Sequence, residues 1–537
     1  MSVMASFDWI VIALYFIAVF GIAFYVTRQE SKTRETSAGY FLAGKNVGWF
    51  VVGASLFASN IGSEHLVGLA GTGFRSGVAV AQFEILASLI LLILGWFFVP
   101  FYIRSSVYTM PEFLERRYSV LARYYLAGIS VLSYILTKIA VTVAAGGIVF
   151  EALLGWNFWV GALIVIVGTG VYTVFGGLRA VIYTDLMQMF VLIAGSIAVT
   201  VFGLMHIGGW SEIRAVAGSD FLNMWKPMSD PEFPWTGIIF GAPILGIWYW
   251  CTDQFIVQRV LSAKDVDNAR RGSLFGGVLK ILPLFIFVIP GIIAYVMSQN
   301  GDLVVAEADQ ALPALIGAIL PVGLRGLVVA GLLAALMSSL SSVFNSSSTL
   351  ITLDIYKKIR PDASERNLVW VGQLSTVLLV VLGLLWIPYM QNMGELFIYL
   401  QKVQAYVSPP IAAVFLLGIF FPRLNSRGAI AALASGFVVG MLRLVAEVFR
   451  KDLTGTLADF ADINFLHFAV FLFLLCSTVL ILASLTARAP ASEKTDGITW
   501  KSGESLETGD SAWRRTDVII SAFIIIAVAA VWMYFTG

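Results

Sequence analysis

Residues 336–349 read Leu336-Met337-Ser338-Ser339-Leu340-Ser341-Ser342-Val343-Phe344-Asn345-Ser346-Ser347-Ser348-Thr349. This run of hydroxyls, with one amide, sits inside a stretch that is otherwise apolar enough for a membrane. A helix core in lipid has no water to satisfy such groups, so they need another helix, a solvated cavity or a bound ion. Densely packed hydroxyl oxygens are ligands for a hard cation, and Na⁺ shares the preference of Ca²⁺ and Mg²⁺ for oxygen. The competing reading is helix packing, since Ser and Thr hold membrane helices together. That reading suits one Ser–Ser pair. For this many hydroxyls an ion site is expected, provided the rest of the chain reads as a transporter.

Composition sets the class. The chain has 537 residues, 59% of them hydrophobic and only 12% charged, with a mean hydropathy of +0.87. That balance belongs to a polytopic membrane protein. A net charge of +1 argues against nucleic-acid binding. Cys251 and Cys476 lie in apolar stretches, so two buried thiols and no disulfide framework are expected. The apolar run 8–27 lacks a preceding basic region and is long enough to span, which reads as a membrane helix and not as a signal peptide.

About 14 spans are expected, including 157–175, 180–206 and 236–258, with a hydroxyl-rich span at 322–353. Of the 34 Lys and Arg residues, 24 fall in one set of alternate loops, Arg123, Arg179, Arg259 and Arg270 among them. Six fall in the opposite loops, Arg75 and Arg214 among them, and Lys138, Lys280, Lys402 and Arg443 fall within spans. The positive-inside rule places the first loop in the cytoplasm and both termini outside a multi-pass protein of the cell (inner or plasma) membrane. The polar segment 489–511 reads as a flexible cytoplasmic linker before the last helix. The outer loops 207–235 and 299–321 carry aromatics and acids suited to short lids.

Two spans are interrupted by helix-weakening or polar residues. The second runs from Gly53 through Asn60-Ile61-Gly62-Ser63-Glu64 to His65. The seventh runs from Gly241 through Pro243, Gly246, Tyr249 and Trp250 to Asp253 and Gln254. They lie five spans apart, an odd offset that gives them opposite orientations, as an inverted repeat of five helices requires. Paired broken helices point to a solute site at the midplane, with freed carbonyls for a cation. A simple kink at Pro243 or Gly246 is the alternative for either break alone.

These residues resemble the solute:sodium symporter family, in its sodium/glucose and sodium/myo-inositol branch. The likeness rests on Asn60-Ile61-Gly62-Ser63-Glu64-His65 with Leu69 to Gly73, Val107 to Phe113, Tyr183-Thr184-Asp185, Trp248 to Gln254, Leu279-Lys280, Ser338 to Ser342 through Tyr356, Ser408 to Phe415, and Gly418 to Ala429. It runs from about residue 8 to 430. It implies an all-α, LeuT-type architecture with a five-plus-five inverted-repeat core. The repeats would fall at 47–207 and 236–421, separated by the outer loop 208–235. The first helix and loop at 1–46 precede them; two flanking helices at 422–487, a linker at 488–515 and a last helix at 516–537 follow.

The resemblance implies a common sodium site at the carbonyls of Ala58, Ile61 and Ala335 and the hydroxyls of Ser338 and Ser339. A second site, present in some members, would use Asp185 with Ser338, Ser341 and Ser342. Members coupled to one sodium often have alanine at the position of Ser341, so two Na⁺ per turnover are expected. For Asp185 the competing roles are a salt bridge with Arg179 or a cap with Tyr183.

The family's hexose contacts fall on Asn60, His65, Glu84, Tyr249, Trp250, Lys280 and Gln401. Tyr249 would be the inner gate and Phe83 the outer one. Sugars need bidentate polar partners and an apolar face for stacking. The plainer readings are packing aromatics for Trp250 and Phe83, a satisfied core histidine for His65, and a pairing of Lys280 with Asp253 or Glu84. Lys402 is expected to point elsewhere. Gly246 and Ala87 replace larger polar residues of hexose-carrying relatives, and Glu64 resembles the inositol branch.

The expected activity is Na⁺-coupled import of a neutral sugar of the glucose/galactose type by alternating access. Myo-inositol or another small solute is the alternative. Sialic acid would want an arginine, and neither broken span has one. A channel or sensor fits less well, because polar groups cluster near the midplane and no output domain is present. No Walker, HExxH, GxSxG or Cys/His metal motif points to an enzyme. The fold needs no protein partner to complete its site.

Overall fold

The computed structural model describes residues 4–29, 46–62, 64–105, 107–390, 395–500 and 511–537. They form an all-helical protein. Among the described residues, ten helices are long and apolar enough to cross a membrane. Four shorter apolar stretches of helix, Ser6–Ile22, Trp49–Asn60, Phe158–Val171 and Ala308–Ile319, accompany them, the first and third being parts of longer helices.

Both expected breaks are present, and each has a local cause. The Trp49–Asn60 helix ends where Ile61 turns out of helical geometry at ψ 85°. A continuing helix would direct the Gly62 N–H to the Ala58 carbonyl; it goes instead to Asn60 O at 2.8 Å. The chain resumes as a widened π turn at Glu64–Leu69, followed by Ala70–Ser76. The seventh expected span, 236–258, is a series of short pieces, Trp235–Phe240, Ala242–Gly246 and a second π segment at Ile247–Thr252. Asp253 then adopts extended geometry, and its carboxylate accepts the Phe255 N–H at 3.0 Å. It thereby caps the helix Gln254–Leu261. π turns interrupt the i→i−4 ladder and recur at functional sites.

The hydroxyl-rich segment lies in one helix, Leu324–Thr349, continued by a π segment to Tyr356. Ser338, Ser339, Ser341, Ser342 and Asn345 through Thr349 are each at most 2% exposed. This serine helix packs against Phe158–Ile207. The first broken helix lies against Val266–Leu279. A Cβ on Gly272 would come within 2.7 Å of Val52 Cγ1, so glycine permits that approach.

Three expectations change. The spans 157–175 and 180–206 fall in one 50-residue helix, Phe158–Ile207. It is about 75 Å long at 1.5 Å per residue, against about 30 Å of hydrocarbon thickness. The expected turn between them, with Arg179, lies among residues 174–181, whose side chains are outside the described residues. The linker is also partly docked. Lys494 Nζ donates to Tyr118 O at 2.8 Å, Trp500 N–H donates to Ile419 O at 2.8 Å, and Thr499 is buried. Residues 501–510 are outside the described residues. The loop 207–235 holds a helix, Trp210–Phe221, and 299–321 holds Ala311–Ile319.

Candidate functional site

The two broken helices meet over a cavity of about 60 Å³. All seven expected contact residues, Asn60, His65, Glu84, Tyr249, Trp250, Lys280 and Gln401, are buried. All except Lys280 line the cavity, and Lys280 Nζ reaches it through its partners Glu84 and Asn60. Gly246 and Ala87 line it too, so the two contacts missing by sequence are missing at the cavity wall.

The polar groups here are bonded to one another. Lys280 pairs with Glu84 and not with Asp253. His65 Nε2 lies 3.0 Å from Glu84 Oε1, while His65 Nδ1 has no partner among the described residues. Asn60 Nδ2 donates to the Tyr249 hydroxyl at 3.0 Å. Tyr249 stands edge-on to Trp250, with ring centroids 5.1 Å apart, and Lys280 Nζ is 5.4 Å from the Trp250 ring centroid. Lys402 points away, as expected, and pairs with Glu447 at 2.6 Å.

A second buried ion pair escaped the sequence reading. Lys138 pairs with Glu64, donates to the Tyr249 hydroxyl at 3.1 Å and lies 4.7 Å from that ring's centroid. Glu64 and Lys138 both line the cavity. The signal was present: a lysine within a span needs a partner. With two lysines and two glutamates so paired, their charges cancel.

Below the first break lies the hydroxyl cluster. Asp185 is buried inside its helix and accepts from Ser55 at 2.8 Å, from Ser59 at 2.9 Å and from Ser338. Ser339 donates to Ser59 O at 3.2 Å, which brings it beside the open turn at Ala58 and Ile61. Ala58, Ile61 and Ala335 are buried there. Ser341 donates to Ser338 O at 2.9 Å. Ser342 donates to the Ser59 hydroxyl at 3.3 Å.

Arg259 corrects the charge reading. Assigned to a cytoplasmic loop, it is fully buried in the helix that Asp253 restarts. Its guanidinium donates to Ser59 Oγ at 2.6 Å and to Ser342 Oγ. A cation this deep must meet oxygens, and the first broken helix, at Ser59, and the serine helix, at Ser342, provide them.

Aromatic side chains close one side of the cavity. There Phe83 packs against Phe233, Phe397 and Phe465, with centroids 5.9–6.5 Å apart. Above them Arg75 joins Glu232 and Glu395. Away from the cavity lining, Arg123, in the helix Val120–Tyr134, holds Asp354 at 2.7 Å and Glu115 at 2.6 Å. Thr109, which caps the helix Met110–Arg117, donates to Asp354 at 2.7 Å.

The chain belongs to the sodium:solute symporter family, whose model it matches over residues 40–436. It is 38% identical to the mouse (Mus musculus) sodium/myo-inositol cotransporter, covering 96% of this chain and 78% of the relative. It is 41% identical to the bovine (Bos taurus) sodium/mannose cotransporter, covering 92% and 89%. The rabbit (Oryctolagus cuniculus) sodium/glucose cotransporter 1 is 39% identical, covering 89% and 78%. Among solved structures, a Na⁺-coupled sialic acid symporter in a substrate-bound outward-open state aligns with a TM-score of 0.76 at 24% identity, over 90% of this chain and 99% of that one. Mhp1, a nucleobase-cation-symport-1 family transporter, aligns at 0.54 and 16%, over 86% and 97%. The protein is therefore a multi-pass sodium-coupled solute symporter and not an enzyme, and Na⁺ is its coupling ion.

Proposed function

We propose that the protein imports a neutral sugar of the glucose/galactose type with two Na⁺ by alternating access, on a five-plus-five inverted repeat with both termini outside. The observation that carries this reading is the cavity between the broken helices. Its paired Lys280–Glu84 and Lys138–Glu64 leave no net charge for an anion, while Asn60, His65, Gln401 and Tyr249 supply hydroxyl-matching groups around Trp250. Phe83 acts as the outer gate and Tyr249 as the inner one. The hydroxyls and carboxylate at Asp185, Ser338, Ser341 and Ser342 serve one Na⁺. The oxygens of Ala58, Ile61, Ala335, Ser338 and Ser339 serve the other.

Myo-inositol is the second reading, favoured by Glu64. This carboxylate at the cavity wall offers an extra acceptor to a ring that carries a hydroxyl on every carbon.

The test is uptake of labelled glucose, galactose and myo-inositol into proteoliposomes, with and without an inward Na⁺ gradient, for the native chain and Asp185→Ala. Sodium-driven uptake of a hexose is expected, with a Na⁺ Hill coefficient falling from near two to near one in the variant. Preference for myo-inositol supports the second reading. An unchanged coefficient makes Asp185 structural, and the absence of sodium-driven uptake of all three sinks the substrate assignment.

A further inference from the structure

The last helix, Ser511–Tyr534, leaves an apolar groove of about 490 Å³ against the Phe158–Ile207 helix and the segment around Phe285. Leu204, Ile289 and Val531 form its walls. The Thr200 hydroxyl in its wall is already taken up, its proton shared between Ser196 O at 3.0 Å and Phe285 O at 2.9 Å. Phe285 and Ala530 are exposed, so the groove opens towards the lipid tails.

At one end the groove shares Trp210, Tyr534 and Phe535 with a second cavity of about 280 Å³, and this one contains Arg214. The Arg214 guanidinium is exposed and donates to the neutral Tyr534 hydroxyl at 3.0 Å. Among the described residues no carboxylate pairs with it. The indole N–H of Trp210 has no acceptor among the described residues. An apolar groove thus runs into a cationic pocket with an unused hydrogen-bond donor, lined by Trp210 and Tyr534, residue types enriched at membrane interfaces.

We propose that these two cavities form one binding site for a glycerophospholipid, with an acyl chain in the groove and its phosphate on Arg214 and Trp210. The groove runs beside Thr200 to Leu204, about 6 Å of helix, which matches part of a tail and leaves the remainder in the bilayer. A tail gains little by moving from other tails to an apolar wall, because lipid is as apolar as the protein surface. The phosphate contacts therefore set the affinity, and guanidinium groups suit phosphate geometry.

The test is native mass spectrometry of delipidated protein after addition of phosphatidylglycerol. Four forms are compared: native, Ala530→Trp to fill the groove, Arg214→Gln to remove the cation, and Met533→Trp. Met533 is 73% exposed and lines neither cavity, so its variant controls for bulk at a lipid-facing position. One phospholipid per chain is expected in the native form and in Met533→Trp. Loss is expected in Ala530→Trp, and at least a fivefold weaker retention in Arg214→Gln. Equal retention in Ala530→Trp and the native form overturns the groove, and unchanged retention in Arg214→Gln overturns the phosphate contact. Equal loss in both tryptophan variants overturns the site as a whole, as does a tightly retained sterol or polypeptide in place of phospholipid.

Discussion

At the scale of the residue, the decisive feature is that every cation around the cavity already has an oxygen partner. Lys280 holds Glu84 and Asn60, and Lys138 holds Glu64 and Tyr249. Removing one member of a buried pair strands the other, at a cost of about 3–5 kcal/mol, whereas replacing both is often close to neutral. Lys280→Ala and Glu84→Ala should each lower the Tm by several degrees and abolish uptake. The double variant Lys280→Met/Glu84→Gln should recover most of the Tm and none of the transport. Fluorescence-detected unfolding beside uptake reads both; a double variant no more stable than the singles would sink the pairing argument. The sequence made Lys280, Glu84, His65 and Asn60 legible because charged or amide groups inside an apolar run demand partners. Lys138 carries the same mark, a lysine within a span, but only the folded packing names its partner as Glu64. Arg259 was hidden differently. Counting its distance from the apolar run placed it in a loop, while the helix restarted by Asp253 carries it back to the serines.

At the scale of the element, both helix breaks could be read in advance because Gly62, Asp253 and the polar residues around them weaken a helix visibly. The π turns at Glu64–Leu69 and Ile247–Thr252 are another matter: Glu64 and His65 mark a break, but nothing in either stretch distinguishes a widened π turn from an α turn. The salt-bridged networks of Arg75 and Arg123 were equally silent, being built between elements far apart in sequence. The Arg75 closure carries a testable pH dependence. Glu395, at the start of the helix Leu396–Phe420, has its carboxyl pushed up to about 7 by burial, against the opposing pull of Arg75, while Asp309 and Glu232 add to the rise. Above pH 7 the carboxylate is charged and holds Arg75; below it, protonation removes that charge and loosens the tie. With Phe83→Cys as reporter, thiol labelling from this side is expected to run at similar rates with and without Glu395→Gln at pH 6. At pH 8 the Glu395→Gln form should label several-fold faster. Comparing the two forms at each pH cancels the reporter thiol's own titration. Equal rates at both pH values would remove Glu395 from the closure.

At the scale of the whole molecule, the charge-balanced cavity lies apart from the hydroxyl and carboxylate cluster around Asp185, and on the proposed reading that separation sets the energetics of coupling. If the paired lysines and glutamates contribute no net charge to the moving cargo, the charge carried per turnover is that of the ions alone. Each charge is worth about 2.3 kcal/mol per 100 mV, so two ions draw about 4.6 kcal/mol from that potential. A tenfold Na⁺ ratio adds about 1.4 kcal/mol per ion. At zero voltage, a tenfold inward Na⁺ ratio should therefore hold about a hundredfold solute ratio with two ions, but only about tenfold with one. The zero-flux solute ratio in proteoliposomes clamped at zero potential measures this directly. Asp185→Ala should bring the ratio from about a hundred down to about ten if its carboxylate serves the second ion. These ratios hold only if the cavity does not open to both sides at once, since a moment of double opening dissipates the gradient; on the proposed reading the Arg75 and Arg123 networks keep the two sides apart. Arg123→Ala removes the guanidinium from Asp354 and Glu115. It should lower the zero-flux ratio by leak while the Na⁺ Hill coefficient stays near two. A fall in the Hill coefficient with no leak would place Arg123 in ion binding and not in closure.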